Sequence, residues 1–295
     1  MFIHGFCFDC IWALLREGLN VSKIKHMKLI ENHGLTHNSY YQDTEYVSNS
    51  MLNNLTGKSP EYFRFAMDNP QPTTPAMKFG SALHMNVLQP EEFNNYYAIA
   101  PKFDKRTKQG KADYEEFTNN NMFKTVISEQ DYHLIEQMTE KIMRDNDAKL
   151  MLTNGLKEHI IAWENEEYNV KCRGMLDVYR KDAGIIVDLK TTQDSSYYGF
   201  ASSVRKFKYY KQAAFYLDAV RAQEFYIVAI EKNPPFSINI IQIGDDLLDK
   251  GRELYNRDLA VYKYCLDNDY WPSQGFDYLD KKSERTIHIM NEDIL

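Results

Sequence analysis

Residues 158 to 190, EHIIAWENEEYNVKCRGMLDVYRKDAGIIVDLK, hold three strand-like stretches separated by two polar breaks, Asn165-Glu166 and Lys181-Asp182-Ala183-Gly184. Apolar and β-branched runs bounded in this way predict three consecutive strands that lie side by side. A sheet must bury at least one face, so the rest of the chain has to supply layers that cover it.

The flanking sequence does so. Ser48 or Ser50 is placed to cap MLNNL, and Ser59-Pro60 puts a capping side chain ahead of a proline at the first helical position. Thr74-Pro75 repeats that signal and opens AMKFGSALHMNVLQ, which Pro90 closes. A longer helix is expected over about 128–145, with Ser128 and Asp131 in capping-box spacing. After the three strands, a helical segment covers about 196–221, strands EFYIVAI and FSINIIQI flank Asn233-Pro234-Pro235, and Gly244-Asp245 opens a final helix to about 266. The expected fold class is α+β, a helical N-terminal half followed by a mixed sheet with helices packed on it. Residues 1–26 read as a poorly packed extension ahead of a natural start at Met27, and 27–295 as a single domain.

The chain lacks a run of about eighteen apolar residues, so no membrane span is expected. CFDCIWALL lacks the basic flank and cleavage site of a signal peptide, and we expect a cytoplasmic protein. The cysteines at 7, 10, 172 and 265 are too few and too irregular for a disulfide framework. Cys7 and Cys10 form a C-x-x-C that binds metal, does redox chemistry or is fortuitous, and no second pair completes a zinc site.

The third strand ends in Asp188-Leu189-Lys190, with Asp177 one turn upstream. Strand alternation puts Asp188 and Lys190 on one face and Val187 and Leu189 on the other. Two neighbouring carboxylates repel unless a cation lies between them, and hard oxygen donors suit Mg²⁺ or Mn²⁺. A lysine there would orient or help deprotonate a water, or neutralise charge on a phosphate. D-x-K recurs at Asp147/Lys149 and Asp280/Lys282, but only the middle copy ends an apolar strand with an acid on its neighbour. The alternative is an edge-strand salt bridge.

QAAFY then places Gln212 and Tyr216 four apart on the following helix, hence on one face. FGSALH gives Gly80 and His84 well upstream. Each has an ordinary structural alternative, a half-buried helix face or a lone polar histidine. Together these residues resemble the PD-(D/E)xK nuclease superfamily, with its restriction-endonuclease-like core, in the RecB-like branch that carries G-x-x-H and Q-x-x-x-Y. TPAMKFGSALHMNVLQPEEF, APKFDKRTKQGKADYEEF and the D-x-K stretch look like the phage exonuclease VIII type, the RecE-like exonucleases, from about Met27 to Tyr278.

The resemblance implies a Mg²⁺-dependent exonuclease, with Mn²⁺ as a possible substitute. It would digest linear double-stranded DNA from 5′ ends and leave 3′ tails for a single-strand annealing protein. It also implies a ring-like homo-oligomer and an origin in a phage or prophage within a bacterial host. Carried across, Asp177, Asp188 and the Leu189 carbonyl would hold metal, and His84 would complete that shell. Lys190 would act on the attacking water, and Gln212 and Tyr216 would position the phosphate. Glu158 and Glu164 flank the first strand as weaker acids and stay outside this set. Iron–sulfur relatives use three late cysteines; only Cys265 lies late here, so no cluster is expected.

The net charge of −7 argues against a protein that coats nucleic acid at large. Two local runs are basic: Lys102, Lys105, Arg106, Lys108 and Lys111 against Asp104, and Arg205, Lys206, Lys208 and Lys211 with no acid. Each is either a solvated face or a grip on phosphates, which fix register without reading sequence. On the same scaffold a structure- or site-specific endonuclease and a catalytically silent DNA-binding module stay open.

Overall fold

A computed structural model describes residues 27–31, 33–70 and 72–273. Residues 1–26, with Cys7, Cys10 and the expected extension, lie outside the described residues. The strands are β1 (Met27–Leu29), β2 (Val47–Ser48), β3 (Tyr97–Ala100), β4 (Thr125–Ser128), β5 (Leu156–Asn165), β6 (Val170–Arg180), β7 (Ile185–Thr192), β8 (Glu224–Glu231) and β9 (Ile238–Gln242). The helices are α1 (His37–Tyr40), α2 (Asn49–Gly57), α3 (Pro60–Asp68), α4 (Pro75–Leu88), α5 (Phe93–Tyr96), α6 (Lys108–Asn120), α7 (Glu129–Arg144), α8 (Asn146–Thr153), α9 (Tyr197–Phe207), α10 (Tyr209–Val220) and α11 (Asp245–Asn268).

The chain groups into two compact units, one drawn from residues up to 71, 162–174 and 249 onward, the other from 72–161 and 175–248. In the first, β1 pairs antiparallel with β5, Leu29 opposite Trp163, and β2 runs parallel to β6, Val47 opposite Cys172. Its helices start where side chains satisfy free amides: Ser48 accepts from Met51 N and Ser59 from Tyr62 N. Phe63 stacks on Trp271 with ring centroids 5.7 Å apart.

The second unit carries the chemistry. Its strands follow the order β5-β6-β7-β8-β9. β7 lies antiparallel to β6 and parallel to β8, and β8 lies antiparallel to β9. Gly184 makes the β6–β7 turn at φ +66°, where a side chain would be strained. The first half of this unit begins at Thr74, whose hydroxyl accepts from Met77 N. Helix α4 then buries Ala82, Leu83, Met85, Val87 and Leu88. Together with α7 and α8 they cover Val178, Val187, Leu189, Val228 and Ile230 in one apolar cluster. Leu83 is fully buried one residue before His84. Leu83→Ala is expected to cost about 2–5 kcal/mol, seen as a lower urea midpoint at unchanged slope.

Two features depart from the sequence reading. The basic run after β3, read from sequence only as a stretch of charge, enters a helix: Thr107 caps α6 at Gly110 N, so Lys108 and Lys111 lie on its first turn. That helix connects β3 to β4, a parallel two-stranded sheet too short to be legible by pattern. The helical segment over 196–221 is two helices, broken at Lys208, which adopts φ 53°.

Candidate metal and catalytic site

Val187 and Leu189 point into the apolar cluster, so alternation turns Asp188 and Lys190 to the opposite face of β7. Asp188 lies beside Ile227 of β8 and Lys190 beside Ala229. The register that sets Val178 against Val187, taken one step on, sets Asp177 against Asp188. Asp177 Oδ2 accepts the Leu189 N–H at 2.7 Å, so a side chain continues the strand pairing where main-chain partners end. The same oxygen lies 3.3 Å from His84 Nδ1 on α4. Lys190 Nζ lies 2.6 Å from Asp188 Oδ2, and Gln212 Nε2 of α10 donates to Asp188 Oδ1 at 3.0 Å. Lys190 Nζ also sits 5.3 Å from the centre of the Tyr209 ring.

Glu158 joins them from β5. It holds φ 47° inside a strand, a conformation that non-glycine residues rarely adopt. One ligand atom from each of His84, Glu158 and Asp177 lies within 4.8 Å of the others.

Burial opposes charge on every member, and the partners decide the outcome. Burial pushes the Glu158 carboxyl up, Asp177 reinforces that, and it reaches about 7. Burial would lower the His84 imidazole, but the Asp177 carboxylate beside it prevails and raises it to about 9. Asp177 is itself held below the usual range, since His84, Lys190 and the Leu189 amide outweigh its burial. Asp188 goes up, by burial and by Asp177, although Lys190 opposes. Lys190 would be lowered by burial, yet Asp188 and Asp177 raise it, so it stays an ammonium. A cluster with an anion held ionised, a neighbour pushed toward protonation and a fixed cation is a functional-site pattern.

Residues 40–282 match the family described as "PDDEXK-like domain of unknown function (DUF3799)". The chain belongs to this family. The DUF3799 domain thus takes in every residue of the cluster, and the PD-(D/E)xK reading of Asp177, Asp188 and Lys190 falls inside it. No curated protein matches the chain in sequence. Among solved structures, a candidate exonuclease from Eubacterium rectale is similar at 19% identity and a TM-score of 0.57, over 88% of this chain and 97% of that one. A phage-related exonuclease from Haemophilus somnus is similar at 13% identity and a TM-score of 0.36, over 78% and 99%. The first of these likenesses bears on fold: the DUF3799 chain has the mixed α+β nuclease architecture, a largely antiparallel sheet flanked by helices.

The structure brings together His84, Asp177, Asp188, Lys190, Gln212 and the Leu189 amide. It is the N–H of Leu189, not its carbonyl, that meets Asp177. Tyr216 lies one turn beyond Gln212 on α10 and is buried. Glu158, left outside the catalytic set on sequence grounds, lies beside His84 and Asp177. Of the basic runs, Lys102, Lys105, Arg106, Lys108, Arg205 and Lys206 are exposed and Lys208 is half-buried. Lys211 is a correction. It is fully buried within α10, because the break at Lys208 turns the chain into a new helix that points this residue inward, so it forms no part of an exposed phosphate grip.

The donor set of one imidazole nitrogen and carboxylate oxygens, partly open to solvent, fits a hard divalent cation of the Mg²⁺ or Mn²⁺ kind.

Proposed function

We propose that this chain is a divalent-metal-dependent exodeoxyribonuclease that digests linear duplex DNA from 5′ ends and leaves 3′ single-stranded tails. The observation that carries the reading is Asp188 and Lys190 on one strand face, ion-paired at 2.6 Å, with Asp177 and His84 joined beside them. The cation would be held by Asp177, Glu158 and His84, with Asp188 and the Leu189 carbonyl adjoining, and when bound it supplies charge neutralisation at the scissile phosphate. Lys190 is kept cationic and aimed by Asp188, which suits it to neutralise charge developing on the phosphate. Gln212 fixes the Asp188 carboxylate through its amide, leaving Oδ2 to Lys190. Tyr216, one turn along the same helix, would help position the phosphate. The exposed cations of the 102–108 and 205–208 runs would grip phosphates of any sequence.

The wider reading follows the resemblance to RecE-like exonucleases: a phage or prophage protein working in the bacterial cytoplasm, ring-forming and paired with an annealing protein in recombination. Among the described residues, no helix is long and apolar enough to cross a membrane.

The test is digestion of linear duplex labelled separately at its 5′ and 3′ ends, with Mg²⁺ and a closed circle alongside. Early release of 5′ label with an intact circle is expected. Cutting of the circle would convert the reading to an endonuclease, and no cleavage with Mg²⁺ or Mn²⁺ would leave a DNA-binding module.

Metal binding should also be proton-linked. With Glu158 at about 7 and His84 at about 9, both carry protons near neutrality that a cation must displace. Mn²⁺ affinity should therefore rise as pH increases from about 6 to 9, with net proton release. Calorimetry in buffers of differing ionisation enthalpy reads both.

A further inference from the structure

Helix α9 follows the D-x-K strand directly, and of its outer face only Arg205 and Lys206 have entered the reading above, as general phosphate contacts. Its inner face is anchored to the site. Phe200 and Val204 are buried, and the rings of Phe200 and Phe207 stack on Tyr209 at 6.0 and 5.6 Å, the same Tyr209 that underlies Lys190.

The outer face has a graded chemistry. Tyr197 and Tyr198 are 80% and 84% exposed and sit edge to face at 5.2 Å. Ala201 and Ser202 follow, both exposed, and then Arg205 and Lys206, also exposed. Helical spacing sets Tyr197, Ala201 and Arg205 in one row and Tyr198, Ser202 and Lys206 in the next. Two aromatic rings thus stand at one end and two cations at the other, with small side chains between them. At 1.5 Å per residue the rings and cations are about 12 Å apart along the helix. No acid interrupts either row.

We propose that this face is a ledge for single-stranded DNA, on which Tyr197 and Tyr198 stack with bases while Arg205 and Lys206 hold phosphates of the same strand. A duplex hides its base faces within the stack, so it has cations to satisfy but nothing for the two rings. A single strand offers both π-faces and phosphates, the pairing that sequence-tolerant single-strand binders use. The proposal rests on the nuclease reading for its biological sense, since a strand-selective exonuclease generates such a strand beside its own active site.

The test is fluorescence anisotropy of a labelled oligothymidine of about twenty nucleotides, longer than one such site needs. EDTA prevents cleavage, and a blunt hairpin duplex serves as comparator. Y197A/Y198A is expected to weaken oligothymidine binding about ten-fold or more while leaving the duplex within about two-fold. Y197F/Y198F should bind as wild type, because the ring and not the hydroxyl stacks. R205A/K206A should reduce the slope of log affinity against log salt by about 1.4. Unchanged thermal midpoints establish that these surface variants fold. Wild-type oligothymidine affinity in Y197A/Y198A, or an equal loss on the duplex, would overturn the ledge. So would intact oligothymidine binding combined with lost binding to a single-strand annealing protein, which would make the face a protein dock. Because the assay runs without cleavage, a protein that cuts nothing yet shows the tyrosine effect would sink the nuclease reading and leave the ledge standing.

Discussion

Lys190→Ala is expected to lower the rate of phosphodiester cleavage by about 10²–10⁴-fold while divalent-cation binding persists. The lysine is 21% exposed, sits 2.6 Å from Asp188, and is paired with no other carboxylate at that distance among the described residues. On the proposed reading its ammonium would meet charge that develops only as the phosphate reacts, so its loss should fall on the rate more than on substrate affinity. The variant also leaves Asp188 buried without its cation. Such a vacancy costs about 3–5 kcal/mol in a fully buried pair, less here because Asp188 is already pushed toward its neutral form. Single-turnover digestion of end-labelled duplex, with Mn²⁺ titrated by calorimetry on the same sample, separates the effects. A variant that cuts at the wild-type rate would remove Lys190 from the mechanism. One that neither cuts nor binds Mn²⁺ would make it an organiser of the metal site.

Asp177→Asn is the sharper test of the metal assignment. Asparagine has the same shape, and its amide oxygen can still accept the Leu189 N–H that now reaches Asp177 at 2.7 Å, so the strand junction should survive. What disappears is the charge. Asp177 is the group that holds His84 up at about 9, so the imidazole should titrate well below that in the variant. Mn²⁺ affinity should fall at least about 100-fold, more than is typical when only an outer-shell partner is lost, and cleavage should become undetectable. NMR titration of His84 reads the first effect, and calorimetry the second. An Asp177→Asn protein that binds Mn²⁺ like wild type would show that the cation site is built elsewhere.

Much of this was legible in the sequence because it depends on local signals. Ser48, Ser59, Thr74 and Ser128 all cap the helices they precede, since a short oxygen ahead of free amides is useful whatever the tertiary setting. The three strands and the placement of Asp188 and Lys190 on the face opposite Val187 and Leu189 follow from period-two alternation. Glu158 was not legible for the converse reason. Its left-handed backbone interrupts that alternation, so no pattern count along β5 reveals which way its carboxylate goes. Lys211 failed differently: a run of cations reads as one stripe only if the backbone is continuous, and the break at Lys208 assigns Lys211 to another helix with another orientation. The βαβ insert from β3 to β4 relies on two four-residue strands, the shortest length at which periodicity carries information.

β7 pairs with β8 along its whole length but with β6 only over Ile185–Val187, and just past that stretch the Asp177 carboxylate takes the Leu189 N–H. With Asp188 and Leu189 buried as well, the amides of the D-x-K segment are expected to be among the slower of their unit to exchange with solvent. On the proposed reading, the arrangement of Asp177, Asp188 and Lys190 would stand ready before DNA arrives and would not have to be assembled by it. Sequence drift that weakens the unit would then reduce how many molecules are competent at a given moment, while each competent molecule would still cut at its full rate.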